Sequence, residues 1–133
     1  MSNLSITAAD VSIVSFIEMY TLPTDEDING GQYVRLNTTS GKWELGKATE
    51  TAEAEKGGIA VKDADDGLAL TVMCKGVLDL GEALVGLSFG DKIYLSDTDG
   101  TLATTTGTVS RQVGRVWPSW GSTSADRVLR VEL

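Results

Sequence analysis

The sequence predicts an all-β fold: a compact antiparallel β-barrel or β-sandwich built from two related hairpin halves, with an extended arm at the N-terminus. Apolar and polar residues alternate in short runs, as in residues 68–74 and 129–133, and alternation with period two is typical of strands that bury one face. Glycine and clusters of Asp, Asn, Ser and Thr separate these runs and predict frequent turns. One segment occurs in two similar copies, which predicts the two halves.

Length and charge narrow the possible functions. The 133 residues fit a single domain, which we expect at residues 21–133, with the arm at residues 1–20. The net charge of −8 argues against nucleic acid as a partner, because phosphate binding requires clustered basic residues. The densest basic group is only Arg111, Arg115, Arg127 and Arg130. No apolar segment is long enough to predict a membrane span.

The residues required for catalysis are scarce. The chain has no histidine, which excludes a Ser-His-Asp arrangement. For the same reason the single cysteine, Cys74, lacks the histidine base that usually activates a catalytic thiol. Cys74 alternates with apolar residues, so we expect a buried structural thiol, and the lack of a disulfide fits folding in a reducing cytoplasm. Asp97-Thr-Asp99-Gly100 is similar to the start of a calcium loop, but Thr108 stands where such a loop needs a bidentate glutamate. We expect no catalytic, cofactor or metal site.

The first twenty residues are apolar and lie outside the repeat. Pro23 and the acidic residues 25–27 separate them from it. For residues 1–10 two interpretations stay open: an arm that adds as a strand to another protein, or an ordinary first strand of the sheet. The candidate arm contacts are the apolar residues Leu4, Ile6, Val11 and Ile13.

The repeat aligns residues 31–41 with residues 90–100 without gaps. Both copies begin with glycine (Gly31 and Gly90), end with glycine (Gly41 and Gly100), and carry an aliphatic residue and a leucine at the same offsets. We predict a strand, a tight turn and a second strand in each copy: Gly31 or Gly90 bends the chain into the first strand, and Gly41 or Gly100 supplies the positive φ of the hairpin turn. Between the copies, residues 48–56 are rich in Ala and Glu, and we expect there either one helical turn capped by glycine or a mobile loop.

A set of short motifs follows the chain in order. They are Leu4-Ser-Ile-Thr-Ala8 with Val11, Gly31 to Leu36, Gly58-Ile-Ala60, Gly76-Val77, Gly90 to Ser96, Val113 to Val116, and Leu129-Arg-Val131. In this order and spacing the chain resembles the tailed-phage capsid decoration proteins, also called cement or head-stabilising proteins, over nearly its whole length.

The resemblance implies both a fold and a function. The fold is a compact, β-tulip-like body without enzymatic activity. The function is to bind the outer surface of the expanded phage head, as a homotrimer at three-fold and quasi-three-fold sites, and to stabilise the shell. The partners would be the major capsid protein and further copies of the chain. The protein would be made in the host cytoplasm and act on the outside of the virion.

Trp117-Pro118-Ser119-Trp120 is the strongest aromatic cluster, and three interpretations stay open for it. The indoles of Trp117 and Trp120 could cap one end of the body, contact a subunit or the capsid, or stack on a glycan. The last interpretation belongs to an alternative function, a head-fibre or adsorption protein that binds a host surface glycan. A small hydrolase is a third hypothesis, and the absence of histidine argues against it.

Overall fold

A computed structural model of the chain describes residues 3–119 and 127–133. The short elements are a 3-10 turn, Ala8–Asp10, and one helical turn, α1 (Thr51–Ala54). The strands within these described residues are β1 (Val11–Pro23), β2 (Tyr33–Leu36), β3 (Trp43–Leu45), β4 (Gly57–Ala60), β5 (Ala69–Leu80), β6 (Lys92–Leu95), β7 (Leu102–Ala103), β8 (Gln112–Pro118) and β9 (Arg127–Glu132).

The strands form one antiparallel sheet that curls into a half-barrel. Its order is β3-β2-β4-β5-β9-β8-β6-β7, and β1 pairs with β5 outside this path. The prediction of a mostly β, antiparallel fold is therefore confirmed, and the finer form of the sheet is a half-barrel. The described residues contain no helix with the length and hydropathy to cross a membrane.

Strand β5 holds the sheet together because it pairs with three other strands. β1 runs along it from Val11 opposite Leu80 to Pro23 opposite Ala69. The other edge of β5 is divided: β4 pairs at Val72 and Met73, and β9 pairs from Lys75 to Leu78. The sheet therefore forks between Met73 and Lys75, where the neighbour of β5 on this edge changes from β4 to β9. Along the opposite edge, β1 is the neighbour throughout.

Two apolar clusters lie on opposite faces of β5. The larger one fills the half-barrel and includes Met73, Leu78 and Leu129. The smaller one includes Val72 and Trp43. Since Val72 and Met73 are consecutive residues of one strand, their side chains point to opposite faces of the sheet. The alternation seen in residues 68–74 therefore supplies the smaller cluster, and the larger cluster forms the main core.

Gly100 links the two ends of the half-barrel. Its N–H donates to the Gly46 carbonyl at 2.7 Å, and its carbonyl accepts from the Tyr33 N–H at 3.0 Å. Gly100 has a φ of +65°, and a Cβ built there would meet Leu45 Cδ2 at 2.7 Å. Both the backbone conformation and the close approach therefore require glycine at this turn.

The two copies of the repeat form similar local structures. The first copy contributes β2 and leads into β3, and the second contributes β6 and leads into β7. The glycines have positive φ: 86° at Gly31, 89° at Gly90, 72° at Gly41 and 65° at Gly100. That the two halves form a true internal repeat stays a prediction.

The helical turn α1 ends differently from the expected glycine cap. Lys56 takes the positive φ of 54°, while Gly57 already belongs to β4. Glycine is needed at 57 for another reason: a Cβ there would collide with the Val34 carbonyl and meet the Tyr33 ring at 2.6 Å. Of the two alternatives expected for residues 48–56, the helical turn is the one that forms, and Gly57 marks a close approach of two strands instead of the helix cap.

Candidate interaction surface

Strand β1 contains residues that have no pairing partner on β5. These bulges turn apolar side chains outward. Ile13 pairs with Leu78 and Ser15 with Val77, so Val14 has no partner on β5. Phe16 then pairs with Gly76 and Glu18 with Lys75, so Ile17 has none either. Such bulges bend a strand locally and re-aim its side chains.

Large apolar side chains of β1 are exposed around the bulges. Phe16 is 62% exposed and Ile17 80% exposed. The other large exposed side chains of this strand are Ile13, Val14 and Tyr20. Within the described residues β5 is the one strand paired with β1, so the outer edge of β1 presents unpaired backbone N–H and C=O groups. A long apolar edge strand of this kind is a site for pairing with another chain.

The four predicted arm residues lie in different environments. Leu4, Ile6 and Val11 are half-buried and pack against the main core of this chain, and Leu4 N–H donates to the Leu102 carbonyl at 2.8 Å. Ile13 alone is exposed. Residue 20, the expected end of the arm, lies inside β1. Binding of these four residues to a capsid stays a prediction.

The outer face of the sheet continues from β1 towards β8. Ile17 and Val77 line a shallow groove together with Arg130 and Glu132 of β9. Arg130 reaches the neighbouring strand, where its guanidinium carbon lies 4.7 Å from the ring centroid of Trp117. Trp117 is 38% exposed at the end of β8, so this residue forms part of the surface. Trp120 lies outside the described residues.

Three basic residues lie side by side on this outer face. Lys92 of β6 is directly opposite Arg115 of β8, and Arg115 is directly opposite Arg130 of β9. Residues that pair directly in an antiparallel sheet project from the same face, and like charges in that position destabilise the sheet. We call Lys92, Arg115 and Arg130 the basic row. It is unexpected in a chain with a net charge of −8.

An apolar cleft of about 360 Å³ opens where the sheet forks. Its walls include Leu22, Leu36, Trp43, Cys74 and Leu133. Within the described part of the chain, Nε1 of the buried Trp43 has no hydrogen-bond acceptor.

Glu18 shapes the electrostatics at the rim of this cleft. Tyr20 Oη donates to Glu18 Oε1 at 2.7 Å, and this hydrogen bond, followed by the negative charge of Glu18, raises the pKa of Tyr20. Burial raises the pKa of the Cys74 thiol, and the charge of Glu18 adds to the effect. A thiol of this kind is a poor nucleophile at neutral pH. Cys74 is half-buried at the wall of the cleft, so the expectation of a buried thiol is met only in part.

The acidic turns serve local structure. Asp97 accepts hydrogen bonds from both the N–H and the hydroxyl of Thr108, each at 2.8 Å, and so ties the ends of its loop together. Among residues 3–119 and 127–133 there is no group of three or more metal-ligating side chains. The geometry that stands out is therefore a surface for protein contacts: β1, the outer face and the basic row.

Comparison with known families decides what kind of protein this surface belongs to. Residues 17–133 match the sequence model of the phage cement protein family. The chain belongs to this family. Cement proteins are structural components of the virion that decorate the capsid, so the chain is a capsid decoration protein and not an enzyme. No curated protein and no solved structure matches it.

The match to the cement family begins at Ile17, one of the most exposed residues of β1. The motif from Leu4 to Val11, which contributed to the resemblance seen in the sequence, lies outside the matched residues. Sequence reasoning selected Ile13 and Trp117, both of which are exposed, but did not select Phe16, Ile17 or the basic row as contact residues. The apolar run at residues 13–17 was a usable signal for β1. The sequence contained no comparable signal for the basic row, because the members of the row are far apart in the sequence.

Proposed function

We propose that this cement protein binds the outer surface of the expanded phage head and docks on the major capsid protein through β1. It acts as a trimer at three-fold and quasi-three-fold positions and stabilises the shell. The observation that carries the proposal is the free, apolar edge of β1, with Phe16 62% and Ile17 80% exposed.

Strand addition is the mode of binding that this edge supports. An extended segment of the capsid protein can hydrogen bond to the free N–H and C=O groups of β1, while alternate side chains of both strands contact each other. Ordering such a segment costs about 1–2 kcal/mol per residue in backbone entropy, so apolar contacts must offset that cost. β1 supplies such contacts through the exposed side chains of Phe16 and Ile17.

In a trimer, contacts of modest affinity between each copy and the capsid are sufficient for tight binding. When three copies are joined, binding of the first places the other two at high local concentration beside their sites. Two kinds of contribution to capsid binding are proposed for the predicted arm residues, which are Leu4, Ile6, Val11 and Ile13. Ile13 contributes directly from β1, and the other three contribute if the N-terminal segment leaves its position on the core.

The test is co-sedimentation of the purified protein with expanded heads that lack it. We expect saturable binding of the wild-type chain, at a copy number divisible by three per lattice site. Phe16→Asp and Ile17→Asp should each reduce the affinity at least about tenfold, since a carboxylate cannot be buried against an apolar partner without a large cost. Val85→Asp is the matched control, because Val85 is similarly exposed but lies outside β1.

Two outcomes contradict the proposal. Absence of binding by the wild-type chain to expanded heads removes the function as stated. Equal binding by Ile17→Asp, Phe16→Asp and Val85→Asp would show that β1 is not the docking element. Thermal unfolding of each variant shows whether a loss of binding reflects a loss of fold. Loss of phage adsorption with undiminished head stability would instead favour the glycan-binding alternative.

A further inference from the structure

We propose that the basic row binds an acidic surface on a second copy of this chain, and that this head-to-tail contact builds the trimer. The acidic surface consists of two adjacent turns, residues 24–28 and 63–67, which we call the acidic turns. The inference deepens the proposed function, because it assigns the contact between subunits that the trimer requires.

Among the described residues, only one member of the basic row, Arg130, has an acidic partner in its own chain. Arg130 Nε contacts Glu132 Oε1 at 2.8 Å, and Arg115 donates to the Gly90 carbonyl at 3.2 Å. Within the described residues no ion pair involves Lys92 or Arg115. Three cations aligned across adjacent strands repel each other, so an anionic partner stabilises the arrangement.

The acidic turns carry the opposite charge, and one of their carboxylates, Asp25, is paired with Lys42 at 3.8 Å. They are held together by backbone hydrogen bonds between Ile28 and Ala64 at 2.9 and 2.8 Å. Asp65 and Asp66 are exposed, and no ion pair involves either residue among the described residues. Asp27 is also exposed and accepts the Asp66 N–H at 2.8 Å. Carboxylates crowded in this way repel each other as the basic row does.

One copy cannot bring its own two surfaces together. The acidic turns adjoin the Ala69 end of β5, where Leu68 N–H donates to the Asp65 carbonyl at 3.0 Å. Arg130 pairs with Val77, which lies eight residues along the same strand. At about 3.3 Å per residue the separation is roughly 26 Å, well beyond the screening length of about 8 Å at physiological salt. Attraction between the surfaces is therefore effective only between copies.

The contact joins unlike patches, because the two surfaces are different and lie at opposite ends of β5. Such head-to-tail contacts generate a ring if the rotation between copies closes and an open filament if it does not, and the trimer of the proposed function requires the closed form. Trp117 adjoins the basic row through Arg130 and is the kind of aromatic residue that anchors an interface. Acidic turns facing acidic turns, as a two-fold dimer through that surface would require, would be repulsive.

Charge reversal in matched pairs tests the inference on the full chain. One variant carries Lys92→Glu and Arg130→Glu, and a second carries Asp65→Lys and Asp66→Lys. A third carries all four changes. The molar mass of each is measured by sedimentation equilibrium at low salt and at about 0.5 M salt, where charges beyond a few ångströms are screened. Binding to expanded heads is measured in parallel.

We expect a wild-type trimer that dissociates as salt rises, and weakening of self-association by at least about tenfold in each two-residue variant. The four-residue variant should recover the trimer, because the reversed surfaces are again complementary. Its net charge remains −8, so recovery cannot be an effect of overall charge. Thermal unfolding confirms that each variant is folded.

Three results overturn the inference. They are a wild-type chain that is monomeric at every salt concentration, a two-residue variant that remains a trimer, and a folded four-residue variant that remains a monomer. If any of these is found while the wild-type chain still binds heads, the proposed function stands and only the subunit contact is wrong. If the basic-row variant keeps its mass but loses head binding, the row contacts the capsid instead.

Discussion

The Sγ atom of Cys74 lies 3.6 Å from the carbonyl oxygen of Gly57, at the fork where β4 and β9 separate along β5. This contact holds the thiol against the backbone of the neighbouring strand. Burial there raises the pKa of the thiol, and the negative charge of Glu18 raises it further.

Thiol labelling of the native protein checks this environment. Because the thiolate is the reactive form, labelling of Cys74 at neutral pH should be slower than that of an unfolded chain and should increase as pH rises. Glu18→Gln removes a charge that raises the pKa of Cys74, so labelling should become faster. Lys75→Met removes a charge that lowers it, so labelling should become slower. Equal rates in both variants would contradict this account.

Gly76 controls the docking of β1 on β5. It has a φ of +146°, and a Cβ there would meet the Ser15 carbonyl oxygen at 2.6 Å and Phe16 Cα at 2.8 Å. Gly76→Ala should reduce the free energy of unfolding by more than about 2 kcal/mol, measured by denaturant titration. Gly41→Ala is the control, since Gly41 also has a positive φ but no atom within 4 Å of its Cβ position. If Gly76→Ala and Gly41→Ala reduced the free energy of unfolding equally, β1 would be shown to shift away from the added Cβ at little energetic cost.

Tyr33 ties the helical turn to the core. Its hydroxyl is buried and donates to the Ala54 carbonyl at 2.7 Å. Tyr33→Phe should reduce stability by about 1–2 kcal/mol, because it leaves a buried carbonyl without its donor. Tyr20→Phe should change stability little, since the Tyr20 hydroxyl is solvent-exposed. Thermal unfolding of both variants measures the difference, and equal effects would show that water replaces the Tyr33 hydroxyl.

Ile13 and Leu78 are partners in the β1–β5 ladder but differ in burial. Leu78 is fully buried and Ile13 is 43% exposed. Leu78→Ala should cost about 2–5 kcal/mol, the usual range for a core leucine. Ile13→Ala should cost much less, because solvent already reaches the side chain. If Ile13→Ala weakens head binding while Leu78→Ala mainly weakens folding, the division between contact surface and core is supported.

The strands were predictable where the alternation was regular. The pattern at residues 129–133 predicted a strand with Leu129 and Val131 on one face, and both are buried in the main core. Residues 90–95 behaved in the same way, with Ile93 and Leu95 buried. In these segments the alternation of the strand alone decides whether a side chain is directed to the core or to the surface.

The features that depend on register were not predictable. The basic row exists because Lys92, Arg115 and Arg130 are aligned by pairing between three strands, and a single sequence carries no record of that alignment. The same holds for Ile17, whose exposure results from a bulge opposite Gly76 and Lys75. Sequence periodicity assigns a face within a strand, but neighbouring strands decide which residues meet.

The divided edge of β5 has a consequence for biosynthesis. β1 pairs along one side of β5 and β4 along part of the other, but residues 75–78 on that other side can pair only after β9 is made. At ribosomal rates of about 5–20 residues per second, β5 would emerge seconds before its last neighbour. During that interval a nascent chain exposes apolar side chains at the unfinished side. We therefore expect a need for chaperones early in expression, and a yield that depends on the speed of translation between residues 80 and 127.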